Sequence, residues 1–113
     1  MTERFALNLT PPYYAVIFPN QRSGKDETAY AAAGERLAEL AQDMPGYLGL
    51  ESTRDEAGFG ITISYWETEE AIKNWKEHAD HLAAQEKGKS DWYAHYELRV
   101  AKVERAYSGP QGR

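Results

Sequence analysis

The chain has 113 residues, enough for one domain, and its net charge of −5 and pI near 5.2 argue against nucleic-acid binding, which relies on clustered Lys and Arg. With no cysteine, it has neither a disulfide nor a thiolate nucleophile nor a Cys-ligated zinc. No apolar run approaches the roughly 20 residues of a membrane helix and no secretory signal opens the chain, so we expect a cytoplasmic protein.

The first part of the chain predicts an arm, a strand and a helix. Residues 1–12 end in two prolines, which cannot donate hydrogen bonds to a sheet, so we expect a loosely ordered arm. Residues 13–18 are β-branched and aromatic and predict a strand, whereas residues 19–25 predict a loop. Asp26 is placed to cap the helix, and Gly34 within it, which costs about 1 kcal/mol relative to Ala, indicates close approach of another backbone. The helix carries apolar side chains at helical spacing, ahead of a Pro-Gly stop: Tyr30, Ala33, Leu37, Leu40 and Met44.

Residues 47–54 and 59–66 predict the two strands of an antiparallel hairpin, joined by a turn at residues 55–58. The second strand alternates between an apolar face, which we expect to be core, and a face of small, semi-polar side chains that ends in Trp66. The apolar face carries Phe59, Ile61, Ile63 and Tyr65, and the small face carries Gly60, Thr62 and Ser64.

All 3 histidines and all 3 tryptophans lie between residues 64 and 96, so we expect the functional site there. Thr68 is placed to cap a second helix that starts at Glu69 and ends near Gly88. Its core stripe is Ile72, Trp75, Ala79 and Leu82, and a polar row lies about a quarter-turn to one side at Asn74, His78, His81 and Gln85. Such a row indicates a cleft between helix and sheet; the alternative is a polar shoulder facing solvent.

The end of the chain predicts a return to the sheet. A turn at Ser90 brings Trp92 and Tyr93 back, residues 95–107 predict one long strand, and residues 108–113 predict a disordered tail, which leaves a single domain over residues 13–107. The order βαββαβ is that of a ferredoxin-like α+β fold, an antiparallel sheet with two helices on one face. The other face needs a cover, and pairing of two copies supplies it, so we expect a homodimer.

Three segments resemble the antibiotic biosynthesis monooxygenase family. They read MPGYLG at residues 44–49, SYWE at 64–67 and EAIKNW at 70–75, and the similarity extends over nearly the whole domain. The resemblance implies a dimeric α+β barrel and an oxidoreductase activity. Within the family, some members oxygenate polycyclic aromatic phenols without metal or flavin, and others bind and degrade haem.

The haem-degrading branch of the family has an Asn on the first strand, a Trp in the second helix and a haem-ligating His nearly three turns later. Trp75 matches the tryptophan, but the histidine position falls at or near Gln85, and residues 13–18 contain no Asn. An amide oxygen is a poor iron ligand beside an imidazole nitrogen. His78 or His81 would have to approach iron from a different place along the helix, so haem binding is kept as the alternative.

Oxygenation without a cofactor needs an electron-rich substrate, such as a phenolate, that reduces oxygen itself. The predicted flat walls are Trp66, Trp75, Trp92 and Tyr93. His78 or His81 would accept the substrate proton, and Asn74 and Gln85 would hydrogen-bond the oxyanion. No metal site is predicted, because no second cluster completes the pair His78 and His81. The remaining alternative is a non-catalytic dimer that binds a small molecule, in which Trp75 is plain packing, the histidines are solvated, and Trp92 and Tyr93 seal the dimer.

Overall fold

The computed structural model of the protein describes residues 4–25, 27–85 and 92–110, and for residues 81–85 it describes the backbone path alone. Within these residues, no helix is long and apolar enough to cross a membrane. Three predicted features lie outside the described residues: the helix cap at Asp26, the helix end near Gly88 and the turn at Ser90.

Along the described chain the strands and helices follow in the order β1 (Tyr13–Arg22), α1 (Glu27–Gln42), β2 (Tyr47–Arg54), β3 (Phe59–Trp66), α2 (Glu69–Gln85), β4 (Tyr93–Tyr96) and β5 (Arg99–Val103). The strands form one antiparallel sheet in the order β2-β3-β1-β4, and β5 also pairs with β1. The predicted ferredoxin-like α+β fold is therefore confirmed. The hairpin strands and the cap of α2 are confirmed as well, since the Ala71 amide donates to Thr68 Oγ1 over 3.0 Å.

Strand β1 continues past the predicted end at residue 18, and the prediction of a loop over residues 19–22 is wrong. The Pro19 carbonyl accepts a hydrogen bond from the Glu97 amide over 3.0 Å, so the Pro19 nitrogen faces the same neighbouring strand. Proline has no N–H to complete that pair of bonds, and the ladder is interrupted opposite it without ending β1.

The prediction of one long strand over residues 95–107 is also wrong, because the chain forms β4 and β5 instead. The register is unchanged across the break, since Asn20 faces Tyr96 and Ile17 faces Arg99. The missing donor of Pro19 thus accounts for the division. β5 ends at Val103 because its partner Tyr13 is the first residue of β1.

The two faces of the sheet differ in that the helices cover only one of them. Both helices lie on the face that includes Val16, Ser64 and Trp66. The apolar face of β3, which we expected to be core, points away from the helices, and the Phe59 side chain on it is 45% exposed. Strand periodicity separates the two faces of a strand but does not tell which one the helices will cover.

The N-terminal arm lies against this open face. The Ala6 amide donates to Glu51 Oε2 over 3.0 Å, and Tyr65 donates its hydroxyl hydrogen to Glu51 Oε1 over 2.6 Å. A Cβ added to Gly49 would lie 2.8 Å from the Ala6 Cβ, so the arm packs directly on the strand. The predicted division at residue 12 between arm and domain stays a prediction.

The core on the helix face is built around Trp66, Ala71 and Ile72, against which Tyr14, Val16, Met44, Tyr47 and Trp75 pack. Gly46 leads into β2 with φ +86, and a Cβ there would lie 2.7 Å from the Ala71 Cβ. Gly34 differs: a Cβ there would meet no atom within 4 Å, so the prediction that another backbone approaches it closely is wrong.

We predict that Gly46→Ala lowers the free energy of unfolding by about 2 kcal/mol or more, because a left-handed Ala costs roughly 1 to 2 kcal/mol and the Ala71 methyl group must also move. Gly24→Ala is the matched control, since Gly24 has φ +87 and nothing within 4 Å of its Cβ position. Urea denaturation of both variants checks this. Equal losses would contradict the role assigned to Ala71.

Candidate functional site

A cavity of about 310 Å³ lies between the two helices and the sheet. The sheet forms its floor, with Val16, Phe18, Tyr47, Leu50, Thr62, Ser64, Trp66 and Leu98. The helices form its walls, with Gly34, Leu37, Ala38 and Ala41 from α1 and Trp75 and Ala79 from α2. The expected cleft between helix and sheet is therefore present, but among the described residues α1 contributes more of its lining than α2 does. The small face of β3 leaves the room that the cavity occupies.

Two stacked tryptophans belong to the lining of the cavity. The Trp66 side chain is 0% exposed, and its Nε1 donates to Ser64 Oγ over 3.0 Å. Ser64 lies two residues earlier on the same face of β3, which is why the two side chains meet. The Trp75 ring stacks on Trp66 with centroids 6.0 Å apart and planes at 25°. Of the predicted site residues whose side chains are described, these are the two that line the cavity.

Tyr47 is a cavity residue that the sequence did not single out. Its ring meets Trp66 edge-on with centroids 5.5 Å apart, and burial raises the pKa of its hydroxyl above the ordinary value of 10.0. Among the described residues, its hydroxyl has no hydrogen-bond partner. Tyr47 therefore stays protonated at neutral pH and is free to donate a hydrogen bond. The only available signal was its place in MPGYLG, which we used as a marker of fold.

The lining is almost wholly apolar. Besides the Tyr47 hydroxyl and the indole N–H groups of Trp66 and Trp75, its polar side-chain groups are two hydroxyls. They are Ser64 Oγ, bonded to Trp66, and Thr62 Oγ1, 2.9 Å from Ser52 Oγ. Within the described lining there is no charged side chain, and within the described chain there is no group of three or more His, Cys, Asp and Glu placed to hold a metal. Burying a charge in such surroundings is costly, so the cavity favours an uncharged, largely apolar ligand.

The polar row of α2 lies outside the cavity wall where its side chains are described. Asn74 and His78 are exposed, as in the alternative of a polar shoulder facing solvent. The His78 ring lies beside Trp75, with centroids 5.9 Å apart and planes at 32°. The side chains of His81 and Gln85 lie outside the described part of the protein. The roles assigned to these four residues stay predictions.

Trp92 and Tyr93 belong to a second aromatic cluster, centred on Tyr30 of α1. Both rings meet the Tyr30 ring at centroid distances of 5.7 Å. Tyr93 also packs edge-on against Phe18 at 5.5 Å, and Phe18 lines the cavity. Tyr93 thus lies behind the lining at Phe18, and neither Trp92 nor Tyr93 is part of the lining. Burial, followed by the bond to Tyr30, raises the pKa of Tyr93.

The side chain of Arg22, at the end of β1, contacts this second cluster and holds it in place. Its guanidinium carbon lies 3.4 Å from the centre of the Tyr30 ring, and its Nη1 is 2.7 Å from Glu27 Oε1. Its Nε donates to the Trp92 carbonyl over 3.2 Å. The side chain of Arg22 is buried, and each of its three nitrogens has a protein partner, the third being the Lys25 carbonyl. The group is therefore occupied as a structural anchor.

The extension of β1 also corrects the comparison with the haem-degrading branch. The first strand contains Asn20, which is 2% exposed, so the statement that this strand has no asparagine is wrong. Its Nδ2 donates to the Phe18 carbonyl over 3.0 Å, and its Oδ1 accepts from Arg54 Nη2 over 2.7 Å. The amide is thus engaged at both ends by the protein itself.

Comparison with known sequences gives a family and two relatives. The family described as antibiotic biosynthesis monooxygenase matches residues 12–87. The uncharacterized protein YqjZ of Bacillus subtilis is 54% identical over 95 residues, which cover 84% of this chain and 82% of that protein. Jasmonate monooxygenase ABM of Pyricularia oryzae is 28% identical over 94 residues, which cover 80% of this chain but only 43% of that longer protein.

Solved structures share the fold. A variant of SnoaB, a cofactor-independent oxygenase from Streptomyces nogalater, has a TM-score of 0.69 at 11% identity, covering 85% of this chain and 97% of that chain. Rv0793 from Mycobacterium tuberculosis has a TM-score of 0.64 at 12% identity, covering 87% and 99%. At such low identity, the similarity concerns the backbone arrangement.

We predict that Trp66→Ala lowers the free energy of unfolding by about 3 to 5 kcal/mol, because it empties a fully buried position and leaves Ser64 Oγ without its donor. Trp75→Ala should cost less, since this side chain is only partly buried and already borders a cavity. Guanidinium denaturation compares the two variants. A loss for Trp75→Ala as large as that for Trp66→Ala would mean that Trp75 is plain core packing.

Proposed function

The chain belongs to the antibiotic biosynthesis monooxygenase family, and on that premise we propose that it oxygenates a small aromatic or quinol-like compound with molecular oxygen and no cofactor. The observation that carries the proposal is the apolar cavity with the Trp66–Trp75 stack in its lining. Its volume of about 310 Å³ is at the lower end of the usual range for ligand pockets, which suits a compact ring system. The names of the relatives, jasmonate monooxygenase and cofactor-independent oxygenase, support the same class of reaction.

In a reaction without a cofactor, the substrate itself has to supply the electrons that reduce oxygen. Triplet oxygen reacts slowly with closed-shell molecules, so the substrate must be an electron-rich phenol or quinol that gives up electrons itself. One oxygen atom enters the ring and the other leaves as water, and the ring is oxidised to the quinone level without an external reductant. The protein then has to hold the ring flat, favour its ionised form and exclude bulk water.

Three side chains match these tasks in our proposal. Trp75, which is partly exposed and backed by the fully buried Trp66, holds the flat ring, because stacked aromatic pairs are worth about 0.5 to 1.5 kcal/mol beyond burial. Tyr47 donates a hydrogen bond to the oxygen of the substrate as negative charge develops there. A single donor counts for much in this cavity, since an anion in apolar surroundings is otherwise poorly stabilised.

The proton acceptor remains His78 or His81 in this proposal. The His78 ring lies on the exposed side of Trp75. The proposal therefore requires the acidic hydroxyl of the substrate to lie at the Trp75 end of the cavity, near its rim. Release of the proton there places the charged imidazolium in water, where it is well solvated.

Haem binding is the second candidate, and the observation that favours it is Asn20 on β1. The fit is otherwise incomplete. The amide of Asn20 is held by Phe18 and Arg54, and the described lining of the cavity contains no His, Cys or Met. Its one tyrosine, Tyr47, stays protonated at neutral pH because burial raises the pKa of its hydroxyl. A non-catalytic dimer that binds a small molecule is the third candidate, because the cavity by itself explains binding and not turnover.

We also propose that two copies pair through the open face of the sheet. Ile17, Ile61, Ile63 and Phe59 lie on this face, and no helix of the described chain covers it. Pairing of such faces is what the family resemblance implies and removes apolar surface from water. The cavity is on the opposite side, so each subunit keeps its own site.

We expect oxygen uptake when the purified protein meets phenols and hydroquinones, in the presence of a chelator and without flavin. Mass spectrometry with isotopically labelled oxygen should find one labelled atom in the product. Ligand binding without uptake would leave the non-catalytic binder. A Soret band on addition of hemin that disappears in His78→Ala would instead favour haem.

Tyr47→Phe should lower kcat by about tenfold to a thousandfold, as removal of a single oxyanion donor does, with a smaller change in KM. Tyr14→Phe is the matched control, because Tyr14 packs against the same core cluster but is not part of the cavity wall. Steady-state kinetics of both variants check this. A similar loss in the two variants would point to a packing effect and remove Tyr47 from the mechanism.

Ile63→Glu should convert a dimer into a monomer, because it places a charge in the middle of the open face. Size-exclusion chromatography with light scattering measures the mass. Lys73→Glu, on the exposed side of α2, is the control and should leave the mass unchanged. A wild-type monomer at micromolar concentration would rule out the proposed dimer.

A further inference from the structure

The row of side chains that β3 presents to the helices leads to a guanidinium. Thr62, Ser64 and Trp66 line the cavity, and Gly60 is the next residue of the same face. Gly60 is buried, and a Cβ added to it would lie 2.9 Å from the guanidinium carbon of Arg54, its partner on β2. The guanidinium therefore takes the place of the missing Gly60 side chain, beyond Thr62 and outside the lining.

Two other elements lead from the cavity lining to the same group. Nη2 of Arg54 donates to Asn20 Oδ1 over 2.7 Å and to the Tyr30 hydroxyl over 3.0 Å. Asn20 is two residues after Phe18 on β1, and Tyr30 is about one turn before Gly34 on α1. Phe18 and Gly34 both line the cavity. Arg54 thus borders the lining along β1, β3 and α1.

The structural contacts of Arg54 leave its charge unbalanced. Its Nη1 donates to the Gly58 carbonyl over 2.6 Å, so its three hydrogen bonds all go to uncharged groups. Among the described residues no carboxylate pairs with it, and that of neighbouring Asp55 accepts from the Phe59 amide over 3.0 Å. The side chain is exposed, and its Nε takes no part in these bonds. A cation therefore lies beside an apolar cavity in a chain whose net charge is −5.

The Tyr30 hydroxyl is a second donor beside this guanidinium. It accepts from Arg54 and, over 3.4 Å, from the Tyr93 hydroxyl. These two bonds use both of its lone pairs, and its own hydrogen has no acceptor among the described residues. A guanidinium and a hydroxyl side by side match a carboxylate, which has two acceptor oxygens and one negative charge.

We propose that Arg54 and Tyr30 bind the carboxylate of a ligand whose apolar body occupies the cavity, so that the protein selects amphiphilic monocarboxylic acids. This site rests on the cavity of the proposed function, but it concerns binding and not turnover. It also respects the cost of burying a charge, because the carboxylate lies outside the apolar lining, beside an exposed cation.

Two probes of nearly equal size and shape, phenylpropionate and phenylpropionamide, separate charge from shape in isothermal titration calorimetry with the full chain at neutral pH. The wild type should bind the acid about tenfold more tightly than the amide, because hydrogen bonds to charged groups are stronger than neutral ones. High salt should reduce this preference, since the pair is partly exposed. Arg54→Gln should bind both probes equally, and Arg54→Lys, which keeps the charge, should retain part of the preference.

Tyr30→Phe is a second variant, which keeps the ring that Arg22 contacts and tests the site even if Arg54→Gln does not fold. It should weaken binding of the acid by about threefold, the order of one neutral hydrogen bond, and leave binding of the amide unchanged. Arg105→Gln is the matched control, because Arg105 is exposed and follows Val103, whose partner Tyr13 is about 20 Å along β1 from Asn20. It should change neither affinity.

Equal affinity of the wild type for the two probes, or binding of neither, would overturn the proposed carboxylate site. So would a preference for the acid that survives Arg54→Gln and Tyr30→Phe, or one that Arg105→Gln reduces as much. Oxygen uptake with neutral phenols in a protein that shows no preference for the acid would overturn this site and leave the proposed oxygenation standing. Preference for the acid without any oxygen uptake would do the reverse.

Discussion

The asymmetry of β3 is the constraint on which the rest of the structure depends. Toward the helices it presents Thr62 and Ser64, which are too small to fill the space below α1 and α2, and then the fully buried Trp66. Toward the other side it presents its large apolar residues. One strand therefore creates both the cavity and the open face of the sheet, which no described helix covers, and the two cannot exchange places without a shift of register.

Local signals in the sequence were sufficient for the hairpin, the start of α2 and the order of elements, because each depends on residues close together in the chain. Pro19 is a case in which a local signal gave the wrong prediction. It reads as the start of a loop, yet β1 continues through it because its missing donor falls opposite Glu97, a partner far away in sequence. That single proline also divided the last strand.

The candidate site was predictable to the extent that it lies on the core stripe of α2. Trp66 and Trp75 were placed together because strand end and helix stripe converge. Tyr47 was missed, since its place in the cavity depends on the distance between α1 and the sheet, which no pattern of spacing contains. The aromatic stretch from residue 64 to 96 is also not one site: Trp92 and Tyr93 join Tyr30 and two arginines in a separate anchor behind the wall.

The carboxylate of Glu51 ties the arm to the bare face, with Tyr65 and the Ala6 amide as its two donors. Burial, and then this bond, raises the pKa of the Tyr65 hydroxyl above its ordinary value of 10.0. A raised pKa in the folded state means that the stabilisation is complete below about pH 10 and is lost as the solution becomes more alkaline. Deprotonation of Tyr65 therefore does not release the arm at physiological pH. Only in strong base would the hydrogen bond between Tyr65 and Glu51 be replaced by repulsion between two anions.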